Sequence, residues 1–479
     1  MPAVSSPAPR RVLPLLLALL VARGLTAYCF YLYDDAFITF RYAVNLAEGH
    51  GFVYNIGERV QGVSAPLWGF LLALPHAVGL SIEWTARVLG ILFDAMTALL
   101  AFRLLHRENL AQAGAVLLFF FALDPYLAKQ SVGGMESSLF LLATLLAIAL
   151  ALNARFDAAA VVAAGSCFVR PEGVLFCVVL LVFVWIEQRR LPLRALVIGA
   201  VLIAAGVLAQ YLYYGDLIPA SVRGKMSLVR SLDSVWSLAL FPLRDPLQLI
   251  LTITAAIGLP VAWRASRLVR IYAVWSLALF AVWIVTGAHL WPWYCVPFWF
   301  FKVLVSGVAL DVWLRPLLWP KAVLRPGVLA MAAVVAWVAF AALYGRDRME
   351  THVYSRIRQW AAGRDFAGQS AYGMDFGAFG FYTHLRILDE PGLVWPPGRD
   401  VYRSDLRAIL LGERPQWAFV TRCADNVRAM QSEEIARQYR PVWRVSMAGD
   451  TALDFERNVA PLWAPDFILY ERGLSPTVP

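Results

Sequence analysis

The chain has 479 residues, of which 60% are hydrophobic and only 16% charged, and its mean hydropathy is +0.62. These values lie far outside the range of soluble globular proteins and predict a polytopic α-helical membrane protein. The net charge of +9 does not indicate nucleic-acid binding, because the arginines form short groups between apolar runs rather than a basic stripe interleaved with aromatics. Five scattered cysteines without a CxxC motif predict neither a disulfide framework nor a zinc site.

Twelve apolar segments follow one another along the chain. They lie near 12–32, 63–79, 84–105, 110–124, 136–152, 157–170, 173–187, 193–213, 247–263, 271–288, 294–313 and 323–344. A helix needs about 20 apolar residues to cross a bilayer, so several of these segments are short enough to be tilted or partly inserted. The pattern predicts about 11–12 helices. The first segment is interpreted as a retained span rather than a cleaved signal peptide, because it is long and has no obvious small-residue cleavage site.

The basic groups predict the orientation. Arg189, Arg190 and Arg194, and again Arg264, Arg267 and Arg270, are typical of cytoplasmic loops. Residues 33–62, 214–246 and the segment after about 345 then lie outside. The carboxyl-terminal part is polar and contains β-like runs at 386–389 and 417–421. We therefore expect a membrane domain at 1–344 with a first outer loop at 33–62, and an extracytoplasmic α/β domain at 345–479.

The first outer loop begins with two adjacent carboxylates, Asp34 and Asp35. Aspartate is favoured as the cap of a following helix, but one aspartate is enough for a cap. Two carboxylates at the mouth of a cavity can serve as a general base and as its orienting or cation-holding partner. Both interpretations are open at this stage. The next segment, 36–48, predicts an amphipathic helix lying in the outer interface, followed by a glycine-rich loop at 48–62.

Four further polar stretches interrupt the apolar runs, and ionisable groups near membrane depth are candidates for function. Each also has a structural interpretation: a carboxylate at a helix start, an internal ion pair, anchoring to lipid headgroups, or an aromatic belt. Two cations beside an outer loop would suit a phosphate. The stretches are GGMES with Glu136, VRPEG with Arg170 and Glu172, YYGDLIPASVRGK with Arg223 and Lys225, and GAHLWPWYCVP with His289.

In this order the motifs resemble those of the GT-C superfamily of polyprenyl-phosphate-sugar glycosyltransferases, and most closely the family of the mycobacterial terminal arabinofuranosyltransferases. The first outer loop of that group reads roughly D-D-x-x-I-x-x-R-x-x-x-N-L-x-x-G-x-G-x-V-x-N-x-G-E-R-V. The matching residues are Asp34, Asp35, Ile38, Arg41, Asn45, Leu46, Gly49, Gly51, Val53, Asn55, Gly57, Glu58, Arg59 and Val60. The resemblance continues through R-P-E at 170–172, Y-G-x-x-x-P at 214–219 and D-x-G-x-x-G at 375–380, and so covers nearly the whole chain.

The resemblance implies an inverting transfer of a sugar from a polyprenyl-phosphate donor to an acceptor hydroxyl at the outer face of the bacterial cytoplasmic membrane. Asp34 and Asp35 correspond to the general base, and Arg41 is a nearby residue of the loop. Lys225, with Arg223 or Arg170, is expected to hold the phosphate. The remaining substrate-binding candidates of the pattern are Asn55, Glu58, Glu136 and Glu172. The family's G-x-D-x-x-x-x-R stretch is replaced here by GAHLWPWY, and His289 is the expected substitute.

The sequence leaves several properties open. The sugar could be a pentose such as arabinofuranose or a hexose, and the acceptor a glycan, a lipid or a protein. Paired carboxylates can hold a divalent cation, but some transferases of the superfamily act without one, so no cofactor is predicted with certainty. The alternative function is a transporter or flippase of a lipid-linked sugar, for which broken helices with buried charges would also be suitable. The absence of an inverted repeat and the outer position of the aspartates favour the transferase.

Overall fold

The computed structural model describes residues 8–221, 233–287, 290–314, 326–343, 352–389, 392–395, 406–421, 424–446 and 466–473. Each of the twelve predicted apolar segments contains a helix. In chain order the helices of the membrane region and its first loop are α1 (Ala8–Cys29), α2 (Asp34–Ala47), α3 (Pro66–Ala77), α4 (Ile82–Arg107), α5 (Ala111–Leu123), α6 (Pro125–Val132), α7 (Ser137–Leu152), α8 (Phe156–Ser166), α9 (Gly173–Gln188), α10 (Leu193–Tyr214), α11 (Asp233–Leu240), α12 (Pro246–Ala265), α13 (Arg267–Thr286), α14 (Val296–Leu314) and α15 (Pro326–Leu343).

Length and composition distinguish the long apolar helices from the shorter ones. Within the described ranges, α1, α4, α10, α12, α13 and α14 are long and apolar enough to cross a membrane. The pair α5 and α6 is bent by 68° and would add a seventh crossing if it forms one broken span. The helices α7, α8, α9 and α15 are apolar but shorter. The protein is therefore a multi-pass membrane protein in which several predicted segments form helices too short to count as full spans.

The chain divides into two compact units. The first consists of Met1–Phe30, Ala86–Ala205 and Leu232–Gly345, and the second of Tyr31–Thr85, Gly206–Ser231 and Arg346–Pro479. The first outer loop thus packs together with the carboxyl-terminal part of the chain. The domain boundary at 344/345 stays a prediction. The contacts within the chain assign the first outer loop, 33–62, to the second unit.

The first unit is a helical bundle whose buried charges have partners. Arg23, in the middle of α1, pairs with Asp94 of α4 at 2.8 Å and donates to the carbonyl of Phe121 at 2.9 Å. A buried charge without such partners would be very costly, so this pair fixes how α1, α4 and α5 pack. In α10, by contrast, most apolar side chains are exposed and Ala195 is the one buried residue, as expected of a helix that faces lipid.

The second unit contains a five-stranded mixed sheet with the order β2-β1-β3-β5-β4. The strands are β1 (Ser370–Gly373), β2 (Arg386–Asp389), β3 (Trp417–Thr421), β4 (Tyr439–Ser446) and β5 (Asp466–Arg472), and the helices are α16 (Val353–Ala361), α17 (Gly377–Thr383), α18 (Leu406–Gly412), α19 (Ala424–Gln431) and α20 (Glu433–Ala436). Both β-like runs predicted from the sequence are strands. The strands β1, β2 and β3 are parallel, whereas β5 pairs antiparallel with β3 and β4.

Side chains alternate between the two faces of the sheet, as strand geometry requires. In β3, Ala418 and Val420 belong to a hydrophobic core shared with α18 and α20. Phe419, between them, stacks on Phe379 of α17 and on Phe467 of β5, with ring centroids 4.6 and 4.8 Å apart. The sheet is therefore covered on both faces, and α17, which connects β1 to β2, lies on the second face.

The helix after the aspartate pair differs from the sequence prediction. It begins at Asp34, and eleven of its residues are buried by protein. A helix lying in the membrane interface would expose one face, so the predicted interfacial position is wrong. The aromatic side chains that suggested membrane contact instead pack inside the second unit, where the ring of Phe37 lies 5.4 Å from those of Phe381 and Tyr382.

Candidate active site

Asp34 is a buried carboxylate of the first outer loop that is held by backbone amides. It is only 8% exposed, and its two oxygens each accept a backbone N–H at 2.8 Å, from Gly377 and from Ala378. These amides belong to the first turn of α17, where backbone donors have no partner within their own helix. The N-cap of α2 is Tyr33. Asp34 therefore caps α17, not the helix in which it lies.

The surroundings of Asp34 raise its pKa to about 7 from the ordinary 3.8, mainly because burial disfavours the charged carboxylate. The carboxylates of Asp375 and Asp35 also raise it, and the amides of Ala378 and Gly377 oppose the shift. A base works best when its pKa lies close to the working pH. The geometry thus provides an oriented carboxylate that becomes ionised near neutral pH.

Glycines make the contact between α2 and α17 possible. A Cβ on Gly377 would lie 2.0 Å from the backbone oxygen of Asp34, and a Cβ on Gly380 would lie 2.1 Å from the hydroxyl of Tyr54. Neither distance is compatible with a side chain. In the D-x-G-x-x-G motif, Gly377 therefore allows α17 to approach α2, and Gly380 allows it to approach Tyr54 in the loop that follows α2. The first residue of the motif, Asp375, accepts a hydrogen bond from Thr421 at 2.8 Å.

Arg41 lies at the other end of the same contact. It is 3% exposed and donates to the carbonyl of Gly380 at 2.8 Å and to that of His384 at 3.3 Å. Its guanidinium also lies 4.3 Å from the centroid of the Tyr54 ring. These contacts are all internal to the second unit, and a direct contact between Arg41 and substrate stays a prediction.

Asn55 and Glu58 contact the edge of the sheet. The Asn55 side chain donates to the carbonyl of Ile387 and accepts its N–H, both at 2.9 Å, and so pairs with β2 as a neighbouring strand would. Glu58 accepts from Asn55 at 2.9 Å and forms an ion pair with Arg386 at 2.6 Å. Loop 48–62 thereby covers the edge strand. The structure accounts for both residues by these contacts, and their predicted binding of substrate is untested.

The first unit brings together three polar stretches that are far apart in the sequence. Arg170 forms ion pairs with Glu136 at 3.0 Å and with Glu172 at 2.8 Å. Its guanidinium donates to the carbonyl of Trp293 at 3.2 Å and lies 4.6 Å from the ring of Tyr294. The GGMES, VRPEG and LWPWY segments thus meet at one buried arginine. The Arg170–Glu172 contact considered from the sequence is present, and Glu136 is the second partner of Arg170.

Three predicted residues cannot be placed. Arg223, Lys225 and His289 lie outside the described residues. The expectation that they hold the phosphate, or replace the missing acidic-basic stretch, is therefore untested. Among the described side chains, no group of three or more His, Cys, Asp or Glu residues is arranged to hold a metal ion.

A second polar cluster in the first unit is not among the sequence candidates. Lys302 of α14 donates to the side-chain oxygen of Gln248 at 2.6 Å, and the Gln248 amide donates to Asp124 at 2.8 Å. Asp124 lies at the break between α5 and α6 and caps α6 through the amides of Tyr126 and Leu127. Single charges within apolar runs were the signal that could have identified this cluster.

Solved structures with a similar fold are known. No protein-family model matches the sequence. Two crystal structures of ArnT from Cupriavidus metallidurans are similar at 15% identity: the apo form, with a TM-score of 0.61 over 97% of this chain and 98% of that one, and the form bound to undecaprenyl phosphate, with a TM-score of 0.59 over 98% and 99%. The chain therefore shares the fold of ArnT.

One curated protein is similar in sequence. The terminal β-(1→2)-arabinofuranosyltransferase of Mycobacterium tuberculosis is 29% identical over 215 residues, which are 40% of this chain and 34% of that protein. The chain thus aligns with about a third of the length of this relative. The predicted fold, a polytopic helical protein with a carboxyl-terminal α/β part, is confirmed by the likeness to ArnT, and this sequence similarity agrees with the resemblance of the first outer loop to the arabinofuranosyltransferases.

Proposed function

We propose that the protein is an inverting glycosyltransferase that moves a sugar from a polyprenyl-phosphate donor to an acceptor hydroxyl at the outer face of the bacterial cytoplasmic membrane. The GT-C fold and the undecaprenyl phosphate held by ArnT support the lipid donor. The curated relative supports a pentose such as arabinofuranose, with a hexose as the other candidate. The acceptor belongs to an envelope glycan, a lipid or a protein.

The observation that carries this proposal is the oriented Asp34 carboxylate. A sugar hydroxyl is a poor nucleophile unless its proton is removed as the new bond forms. In the proposed step the acceptor oxygen bonds to the anomeric carbon while its proton passes to Asp34. The bond from that carbon to the phosphate oxygen breaks on the opposite face, and polyprenyl phosphate leaves with inversion. Burial keeps the pKa of Asp34 high, and the carboxylates of Asp375 and Asp35 raise it further.

The cations have separate roles in this proposal. The departing phosphate gains charge, which nearby donors and cations stabilise. Arg223 and Lys225, in the segment after α10, are the proposed phosphate holders. Arg170 is bound to two carboxylates, so its cluster has a formal charge of about −1 and is less suited to a phosphate. We assign Glu136, Arg170 and Glu172 to holding together the segments of the first unit that meet at Arg170.

The test is transfer from a radiolabelled polyprenyl-phosphate pentose by the purified full chain in detergent. Asp34→Asn removes the base, and the rate should fall by about 10² to 10⁴. Asp35→Asn should reduce the rate less, because it changes the pKa of the base without removing it. Asp365→Asn, an exposed carboxylate of the same unit, is the matched control and should leave the rate unchanged.

Two outcomes would contradict the proposal. Transfer that survives both Asp34→Asn and Asp35→Asn would eliminate the aspartate base. A folded wild-type protein that transfers neither a lipid-linked pentose nor a hexose, but moves such a lipid across the bilayer of a vesicle, would establish the transporter instead.

A further inference from the structure

We propose that Arg41, Gly377 and Gly380 are positioning residues, which fix α17 against α2 so that the amides of Gly377 and Ala378 orient the Asp34 carboxylate. We call the contact between these two helices the α2–α17 clamp. The inference rests on the proposed function, because it describes how the same base is held. It also gives Arg41 a role that the motif alone does not indicate, since the motif suggests a residue that touches substrate.

The ends of the clamp define its geometry. Asp34 and Arg41 are seven residues apart, which is about two helical turns, so they lie on the same face of α2. Asp34 binds the first amides of α17, and Arg41 binds carbonyls at its last turn. The two helices therefore run in the same direction. The negative side chain lies at the positive end of α17 and the positive side chain at its negative end, so both ends are stabilised by the helix dipole.

The middle of the clamp leaves no space for side chains. The hydroxyl of Tyr54 lies where a Cβ of Gly380 would be, and it donates to the carbonyl of Phe376 at 3.4 Å. Tyr54 is itself fixed, because Asn45 donates to its carbonyl at 2.9 Å. The Tyr54 ring then supports the guanidinium of Arg41. A change at Arg41 should therefore be transmitted along α17 to the amides at Asp34.

The clamp suits a base better than an ion pair would. A carboxylate oxygen has two lone pairs, so one amide on each oxygen fixes the orientation and leaves a lone pair for the acceptor hydroxyl. The groups that face Asp34 are the two amides, the carboxylates of Asp35 and Asp375, and the Tyr54 phenol. Loss of the amides would remove the donors that favour the anion while the carboxyl stays buried.

The test compares Arg41→Gln and Arg41→Lys with the wild-type full chain. Hydrogen exchange measured by mass spectrometry on the peptide 374–385 reports the clamp without substrate. In Arg41→Gln, exchange at the first amides of α17 should be faster by about tenfold, the effect of one lost hydrogen bond to a charged group. In the transfer assay kcat should fall by about 10- to 100-fold with little change in the donor KM, because the base is misplaced.

The pH profile gives a readout that a merely structural role would not change. The acid limb of kcat/KM should move to higher pH in Arg41→Gln, and Arg41→Lys should restore part of both exchange protection and rate. Arg356→Gln, an exposed arginine of α16 in the same unit, is the control and should match the wild type in every measurement.

The inference is overturned if Arg41→Gln leaves the exchange of 374–385 unchanged. It is also overturned if the donor KM rises while kcat is unchanged, because Arg41 would then bind substrate. The two proposals fail differently. If Asp34→Asn accelerates exchange of the same amides but transfer persists, the packing is real, the assigned base is wrong, and the clamp has no catalytic role.

Discussion

The two units stabilise their central ionisable groups in opposite ways. In the second unit, Asp34 is held by neutral backbone amides, and burial raises its pKa to about 7. In the first unit, Arg170 is held by two carboxylates at 3.0 and 2.8 Å. Amides orient a carboxylate without neutralising it, so it keeps the ability to take a proton. An ion-pair cluster stabilises its members as charged groups and is suited to fixing helices.

The largest expected effect is the loss of stability when the Arg170 cluster of the first unit is broken. Arg170→Met leaves the buried Glu136 and the partly buried Glu172 without their cation, and the loss of a buried ion-pair partner typically costs about 3 to 5 kcal/mol. We expect a large loss of folded protein and a lower unfolding temperature, measured by fluorescence-detected size exclusion after heating. Arg194→Met, which breaks the largely exposed pair with Asp157, should leave the unfolding temperature nearly unchanged.

Asp34→Asn provides the counterpart in the second unit. The asparagine side chain can still accept a hydrogen bond from one of the two backbone amides. The unfolding temperature should therefore fall much less than in Arg170→Met, while transfer is lost. Equal losses of stability in the two variants would mean that Asp34 is mainly a structural cap, and the contrast between the units would disappear.

The next expected effect is that of pH on the transfer rate and on stability. Because the base must be ionised, kcat/KM should fall by about tenfold per pH unit below a pKa near 7. Stability should change in the opposite direction. The folded pKa lies above the ordinary 3.8, so this carboxyl stabilises the fold fully below about pH 4, and that contribution is lost as the pH rises to about 7. A rate that is independent of pH between 5 and 8 would contradict the assignment of Asp34.

A smaller effect is expected for the glycine contact. Gly377→Ala places a methyl group against the backbone oxygen of Asp34, and overpacking of this kind costs about 1 to 3 kcal/mol. The unfolding temperature and kcat should both fall. The matched control is Gly412→Ala, because a Cβ there meets no atom within 4 Å. If Gly377→Ala behaves like Gly412→Ala, the close approach of α2 and α17 is not required.

The sequence predicts the local features of the fold well. Each of the twelve apolar runs contains a helix, and the short β-like runs at 386–389 and 417–421 are two strands. The first-loop motif also singled out the pair Asp34 and Asp35, without distinguishing between them. These features depend on residues that are near one another in the chain.

The sequence did not predict how distant segments combine. Nothing local indicates that Asp34 binds Gly377, 343 residues away, or that Arg170 meets Trp293, 123 residues away. Phe37, Phe40 and Tyr42 suggested an interfacial helix, because aromatic residues are as typical of a membrane interface as of a protein core. Lys302 was missed, because Gln248 and Asp124, which form its cluster, are far from it in the sequence.

The smallest effect on transfer is expected at the edge of the sheet, where Glu58 lies outside the α2–α17 clamp. Glu58→Gln removes the ion pair with Arg386, whose side chain is 45% exposed, and exposed pairs contribute about 0 to 1 kcal/mol. The glutamine oxygen can still accept a hydrogen bond from Asn55, so loop 48–62 should still cover β2. We expect transfer within about twofold of the wild type, because a lost surface pair contributes no transition-state contact. A tenfold rise in the donor KM would instead place Glu58 in the substrate site, as the motif predicts, and would extend the reactive region from Asp34 to the sheet edge.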